Sequence, residues 1–388
     1  MKRVLLVLSL FILSYGFSNA QRTYYEDVTF SYIRNPLHPL SSEIKSYSVD
    51  AIITYADEVD VQKEEWAKKN EKKIAKNEEE KKEYKEKSLG NKLLSNALLD
   101  ERKPEDVEIT QKYFSKVYDS ESISAKIKID GYEISEAADV KIELTLNGFD
   151  FLIEEITDEE KKNGGVQKEY KYKISYKHPI ETKMISSTDE QLYYFEMPDF
   201  KEFKTTKTKG FPSKYALEVY WQENKIAILN KLDEKITSNN LKTIKTELNS
   251  KFGYPVLKKT AKIALVKERK HSYDEYAAAF EYAYMGYSYL MEDKEEAHKN
   301  IQEAVKLWEK ALKESDPDDR KARIDDKVTA VTHLNCAEAY CWLNNHQKAK
   351  FHIMKLKMLN KSRYNDEMES YKRFIDNHEK RYEASIAE

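Results

Sequence analysis

The 388-residue chain is poor in glycine (9), proline (8) and cysteine (2). Two cysteines cannot supply the disulfide framework of a small secreted scaffold. Cys336 and Cys341 sit five positions apart in one helical pattern, so they face different ways and lie too far apart to bridge. They read as small buried hydrophobes. Scarce glycine leaves few places where backbone can approach a substrate closely. There is no Gly-rich phosphate loop, and the single Gly-Gly falls in a turn. H-E-x-x-H and G-x-S-x-G are both missing, which removes the zincin helix and the nucleophile elbow. An excess of one charge is also missing: 66 Lys+Arg oppose 69 Asp+Glu, for a net −3. Nucleic-acid binding needs a basic face that releases counterions, so that class is excluded. Beyond the N-terminus no apolar stretch approaches the length of a membrane span. These absences predict no catalytic residue, no cofactor, no metal and no nucleic-acid partner.

Two groupings of metal-ligating residue types do not alter that expectation. His333, Cys336, Cys341 and His346, wound on one helix at about 100° per residue, point to divergent faces and cannot close on one tetrahedral ion. Asp316, Asp318, Asp319, Asp325 and Asp326 form an acidic loop without the turn glycine of a calcium loop, and Arg320, Lys321 and Arg323 neutralise it.

What the chain does contain begins with an exported-protein start. Lys2 and Arg3 precede an apolar run at 4–13, too short to span a bilayer, and Ser18-Asn19-Ala20 offers small residues where a signal peptidase reads. Cleavage before Gln21 is expected, with the mature chain at net −5. The protein is therefore expected in the periplasm or outside the cell, in a bacterial envelope. No transmembrane segment is expected after cleavage, and peripheral association with outer-membrane proteins remains open.

Strict alternation of apolar and polar residues then marks eight strands. They run through Val28–Tyr32, 47–55, 123–129, 140–146, 149–153, 170–176, 192–195 and 215–221. Asn147-Gly148 between two of them is the strongest hairpin signal, because both residues tolerate positive φ. An antiparallel β-sandwich-like region is predicted over 21–222. It is interrupted at about 60–100 by a helical insertion, where 18 of the 25 residues 63–87 are Lys or Glu. Pairs such as Glu64/Lys68 and Glu83/Lys87 support a helix. Leu89, Leu93, Leu94, Ala97 and Leu98 suggest a second part that docks on the sheet. The arm reads as a solvated projection or as a docking arm for another envelope protein. A connecting segment at 223–270 holds two helices, capped at Asn239 and Asn240 and stopped at Gly253 and Pro255, then one short strand near 262–267.

From Tyr273 the chain is helical and rich in Ala and aromatics. Ala337, Tyr340, Ala349 and Ile353 have the spacing of a helix pair in which small residues allow close packing and large ones fill the gaps. Tyr282, Met285, Gly286 and Tyr289, then Ala304, Trp308, Ala311 and Leu312, form a second, split unit. Gly286 and Ala337 are 51 residues apart. This stretch resembles the tetratricopeptide (TPR) family in a degenerate, insertion-bearing form, with 362–384 as a polar cap. The overall fold class is then α+β, with the TPR-like domain at 271–388. What the resemblance implies is binding of a peptide or partner helix in the groove lined by each first helix. Tyr287, Met291, Glu338, Cys341 and Trp342 would face it. The leading expectation is a non-catalytic envelope scaffold for other envelope proteins or peptides. The rival is a carbohydrate-binding or nutrient-capture protein, which needs an exposed strip from Tyr170, Tyr172, Tyr176, Tyr193 and Tyr194. A hydrolase would need a deep pocket with convergent carboxylates or a polarised His.

Overall fold

The computed structural model describes residues 21–86, 105–107, 109, 111–162, 165–268 and 270–387. The signal-like segment and the Leu89–Leu98 stretch lie outside the described residues. In chain order the elements are β1 (Thr23–Ile33), β2 (Ser46–Ile53), α1 (Ala56–Glu86), α2 (Ser120–Ser124), β3 (Glu133–Ile134), β4 (Val140–Leu146), β5 (Asp150–Lys162), β6 (Gly165–Lys177), β7 (Ile180–Ser186), β8 (Gln191–Glu196) and β9 (Lys204–Lys207). There follow α3 (Lys214–Lys251), β10 (Val256–Val266), α4 (Asp274–Ser288), α5 (Lys294–Leu312), α6 (Asp326–Trp342), α7 (His346–Met358) and α8 (Asn365–Ile386). The protein is a mixed α/β chain.

The chain divides into two compact units, but not along the linear boundaries 21–222, 223–270 and 271–388. One unit joins residues 21–43 to 129–131 and 248–387; the other holds 44–128 and 132–247. The reason is strand pairing. A lone N-terminal strand leaves its backbone groups unpaired, and β1 finds its antiparallel partner in β10, with Thr23 opposite Val266 and Ile33 opposite Val256.

The second unit carries two sheets. One has five strands in the order β3-β2-β4-β7-β8, and the other three in the order β5-β6-β9. The five-stranded sheet is mixed rather than antiparallel, since β2 runs parallel to both β3 and β4. Alternation along β4 is obeyed: Val140, Ile142, Leu144 and Leu146 are all buried. Asn147-Gly148 does not close a hairpin. β4 pairs with β7 and β5 with β6, so this turn passes the chain from one sheet to the other. Gly148 has φ +89, and a Cβ there would meet the Tyr55 ring at 3.1 Å.

Two predicted strands are helical. Ile123 and Ile127 are buried, but Asp119 caps the short helix α2 by accepting from Ser122 N at 2.8 Å, and the chain after it is irregular. Four-residue spacing of these two side chains suits a helical turn as well as a strand. The 215–221 run opens α3. Leu217 and Trp221 point to the core four apart while Tyr215 is 80% exposed, and Ser213 Oγ accepts from Ala216 N. α3 is one 38-residue helix, not two. Asn240, expected as a cap, is buried mid-helix and donates to His178 O at 2.8 Å. Trp221, Leu229 and Ile236 on α3 form a core with Phe149, Ile174 and Tyr176 of the second unit.

α1 is 31 residues of mostly exposed Lys and Glu, about 46 Å long. Its base is attached by buried Val59 and by Trp66, edge-on to Phe114 at 5.9 Å.

Candidate functional site

In the first unit α4 and α5 form one helical hairpin, α6 and α7 a second, and α8 packs on α6 and α7. The close approach inside the first pair needs Gly286: a Cβ there would lie 2.6 Å from Ile301 Cγ1 and 3.0 Å from Ala297 O. Ala337, Tyr340, Ala349 and Ile353 are all buried, as are Ala304, Trp308 and Ala311.

The face that α4 and α6 share is already occupied. The β1–β10 ribbon packs across both helices. Phe30 stacks on Tyr287 with ring centroids 5.0 Å apart and meets the Trp342 edge at 5.2 Å; Tyr32 meets Trp342 at 4.9 Å. Asn335 works as a surrogate strand. Its Oδ1 accepts from Ala264 N and its Nδ2 donates to Ala264 O, both at 2.9 Å. Glu338 accepts from Trp342 Nε1 at 2.7 Å and pairs with Lys259 of β10 at 3.5 Å. Of the residues expected to face a partner, Tyr287, Glu338, Cys341 and Trp342 are therefore covered by the chain's own core. Burial pushes the Tyr287 hydroxyl and the Cys341 thiol well above their usual values. Met291 alone stays 40% exposed, on a cavity of ≈360 Å³ that Tyr32, His298, Trp342, His378 and Tyr382 also line.

Apolar side chains are exposed on α4 and α7. Tyr282, Met285 and Tyr289 are exposed at i, i+3 and i+7 along α4 and its C-cap. Phe351, Met354 and Met358 repeat that spacing on α7, with Met358 69% exposed. Beside the α7 stripe lies a cavity of ≈310 Å³ between α7 and α8, floored by Ile353, Met368 and Ile375 and rimmed by Lys350, Lys357, Lys372, Glu369 and Asp376.

Histidines gather where linear spacing did not place them. His333 Nδ1 and His352 Nδ1 are 2.9 Å apart. Burial, then the neighbouring His352 charge, lowers His333 to about 3, and burial lowers His352 to about 4. Next to them Tyr340 donates to Glu309 at 2.6 Å and Lys348 Nζ donates to Tyr340 Oη at 2.8 Å. The other group is His346 Nε2 and His378 Nδ1, 2.9 Å apart, with Cys341 beside them. Cys341 and His346 were expected on divergent faces of one helix. The helix instead ends at Trp342, and Asn344 at φ +57 turns the chain back, so the two residues belong to successive helices. His378 carried no sequence signal, because it lies 32 positions further on.

In the second unit His178 is polarised as a hydrolase would need, with Nδ1 2.7 Å from Asp233 Oδ1. Tyr118 donates to the same oxygen at 3.1 Å, and Thr237 Oγ1 lies 3.2 Å from it. Both His178 and Asp233 are 0% exposed, so neither can meet a substrate without opening the unit. The tyrosine strip is not exposed either. Tyr176 is core; Tyr170, Tyr172 and Tyr193 are half-buried, with Tyr172 bonded to Glu218 and packed on Trp221 and Tyr193 bonded to Glu247; only Tyr194 of the five is exposed. Among the described residues no helix is long and apolar enough to cross a membrane. Comparison of the sequence with protein-family models and with curated proteins returned no match.

Proposed function

We propose that this protein is a non-catalytic, exported cell-envelope scaffold, with a TPR-like helical stack and a β-region that hold partner proteins. The reading is supported most by the paired aromatic and methionine stripes on the outer faces of α4 and α7. Exposed apolar patches on a monomer mark interaction surfaces. Aromatic residues and Met are enriched in interface cores, and Met adapts its shape to different partners. The β1–β10 ribbon fills the inner groove where the resemblance would seat a peptide, which favours a docking face elsewhere.

Partner contact therefore moves to the outside. The α7 stripe, beside a rim that mixes Lys350, Lys357 and Lys372 with Glu369 and Asp376, suits an amphipathic helix or peptide with apolar anchors and flanks of both charges. Met291 is the one groove residue that still fits this role. Export rests on the basic, apolar and small-residue order of the first twenty positions.

The test is photo-crosslinking from position 354, compared with position 215, in an envelope fraction of the source organism. A discrete crosslinked partner from 354, lost in Phe351→Asp/Met358→Asp with the circular dichroism unchanged, is expected. Equal labelling from 354 and 215 would overturn the scaffold reading of α7.

A further inference from the structure

We infer that Cys341, His346 and His378 form a three-ligand site for a single borderline-soft transition-metal ion, Zn²⁺, that ties α8 to the α6–α7 hairpin. Their ligand atoms all lie within 4.8 Å of one another, and among the described residues they are the one His/Cys/Asp/Glu group so gathered that could hold a metal. This inference is independent of the docking stripe, which uses a different face of α7.

The convergence has a structural cause. Cys341 is in the last turn of α6, His346 is the first residue of α7, and His378 lies on α8. The 343–345 turn folds the second ligand back toward the first, and α8 brings the third from outside. His346 Nε2 and His378 Nδ1 already face each other at 2.9 Å. Tetrahedral zinc with Zn–N near 2.0 Å and Zn–S near 2.3 Å needs ligand atoms about 3.3–3.6 Å apart. Parting the two imidazoles by a few tenths of an ångström and closing the thiol by about one would meet that requirement. Rotamer adjustment supplies such movements without moving a helix.

The donor set narrows the choice of ion. A thiol and two imidazoles suit zinc or copper, whereas calcium and magnesium take oxygen ligands. Three protein ligands leave a fourth position for water or a small ligand. His378 also lines the ≈360 Å³ cavity with His298, Met291 and Trp342, so space exists beside the ion. Charge is mixed around the group: Glu338, Glu379 and Glu383 act on it with one sign, and Lys259, Lys294, Lys350 and Arg381 with the other. Lys259 is engaged by Glu338 at 3.5 Å and by the Phe374 ring at 3.9 Å. Cys336 is an internal control, equally buried but outside the group.

The test uses the full untagged chain stripped with a chelator. Zn²⁺ titration by calorimetry should give one equivalent, and Co²⁺ should give a thiolate-to-cobalt charge-transfer band. Cys341→Ser and His378→Asn should weaken zinc by at least about 100-fold, because even outer-shell changes cost roughly 10–100-fold. Cys336→Ser should bind as wild type. Because Cys341→Ser could misfold, the wild-type melting temperature gives a second readout. It should rise with Zn²⁺, fall back with chelator, and ignore Ca²⁺ and Mg²⁺. No stoichiometric zinc, or a cobalt band that survives Cys341→Ser, would overturn the site. Binding of Cu⁺ without Zn²⁺ would overturn the zinc assignment.

Discussion

Replacing Asn335 by Ala tests whether the ribbon truly fills the helical groove. Asn335 satisfies both backbone groups of Ala264, at 2.9 Å each, in a site where Asn335 and Ala264 are buried. Truncation leaves one N–H and one C=O of β10 without partners. An unsatisfied buried polar group costs about 1–3 kcal/mol, so two cost roughly 2–4 kcal/mol after some water enters the gap. Urea unfolding followed by tryptophan emission reads this directly, since Trp308 and Trp342 are both buried in the same core. The midpoint should fall with little change in slope. Amide exchange at Ala264 should speed up in step. Tyr215→Ala, at an 80% exposed position, is the control and should stay within about 0.5 kcal/mol of wild type. An Asn335→Ala loss below about 0.5 kcal/mol, with Ala264 exchange unchanged, would refute the docked ribbon and return the groove to an outside partner.

Gly286→Ala should lower the melting temperature by a few degrees. The new methyl meets Ile301 and the Ala297 carbonyl, and overpacking of about 1–3 kcal/mol outweighs a helix-propensity gain of about 1. Asp233→Ala should destabilise the second unit by about 3 kcal/mol in chemical denaturation, because His178, Tyr118 and Thr237 all bond one Asp233 oxygen. Acid should also weaken the helical unit. His333 and His352 titrate at about 3 and about 4 in the folded chain, against 6.5 when unperturbed. Between those values the unfolded chain binds more protons, so stability is full above pH 6.5 and falls as pH drops toward 3. At pH 5 the gap of about 1.5 units is worth about 2 kcal/mol for each histidine. Melting curves at pH 7 and pH 5 check this, and His352→Gln should show a smaller drop than wild type.

Alternation and turn chemistry made much of the second unit legible. β4 has one apolar face and behaves as its pattern reads. The 215–221 run misled because Leu217 and Trp221 satisfy a two-residue and a four-residue period together, and the Ser213 cap with the long downstream helix decided between them. Asn147-Gly148 is a genuine turn, but a local signal cannot say which strand becomes the neighbour.

The helical half was readable as helices because Ala, Gly and aromatic spacing reports which side chains must pack closely. Small residues at Gly286, Ala304, Ala337 and Ala349 follow from that local requirement. What covers the groove, and which histidines meet, depends on contacts between distant segments. Thr23 and Val266 pair across the length of the chain, and His378 meets His346 only because α8 folds back over the α6–α7 hairpin. The sequence by itself determined composition, element type and the apolar faces, since those are properties of neighbouring residues. Tertiary structure alone decided that the expected binding groove is filled by β1 and β10, and that Cys341, His346 and His378 come together. Such long-range pairings minimise unpaired backbone and exposed apolar surface over the whole chain, which no short window can evaluate.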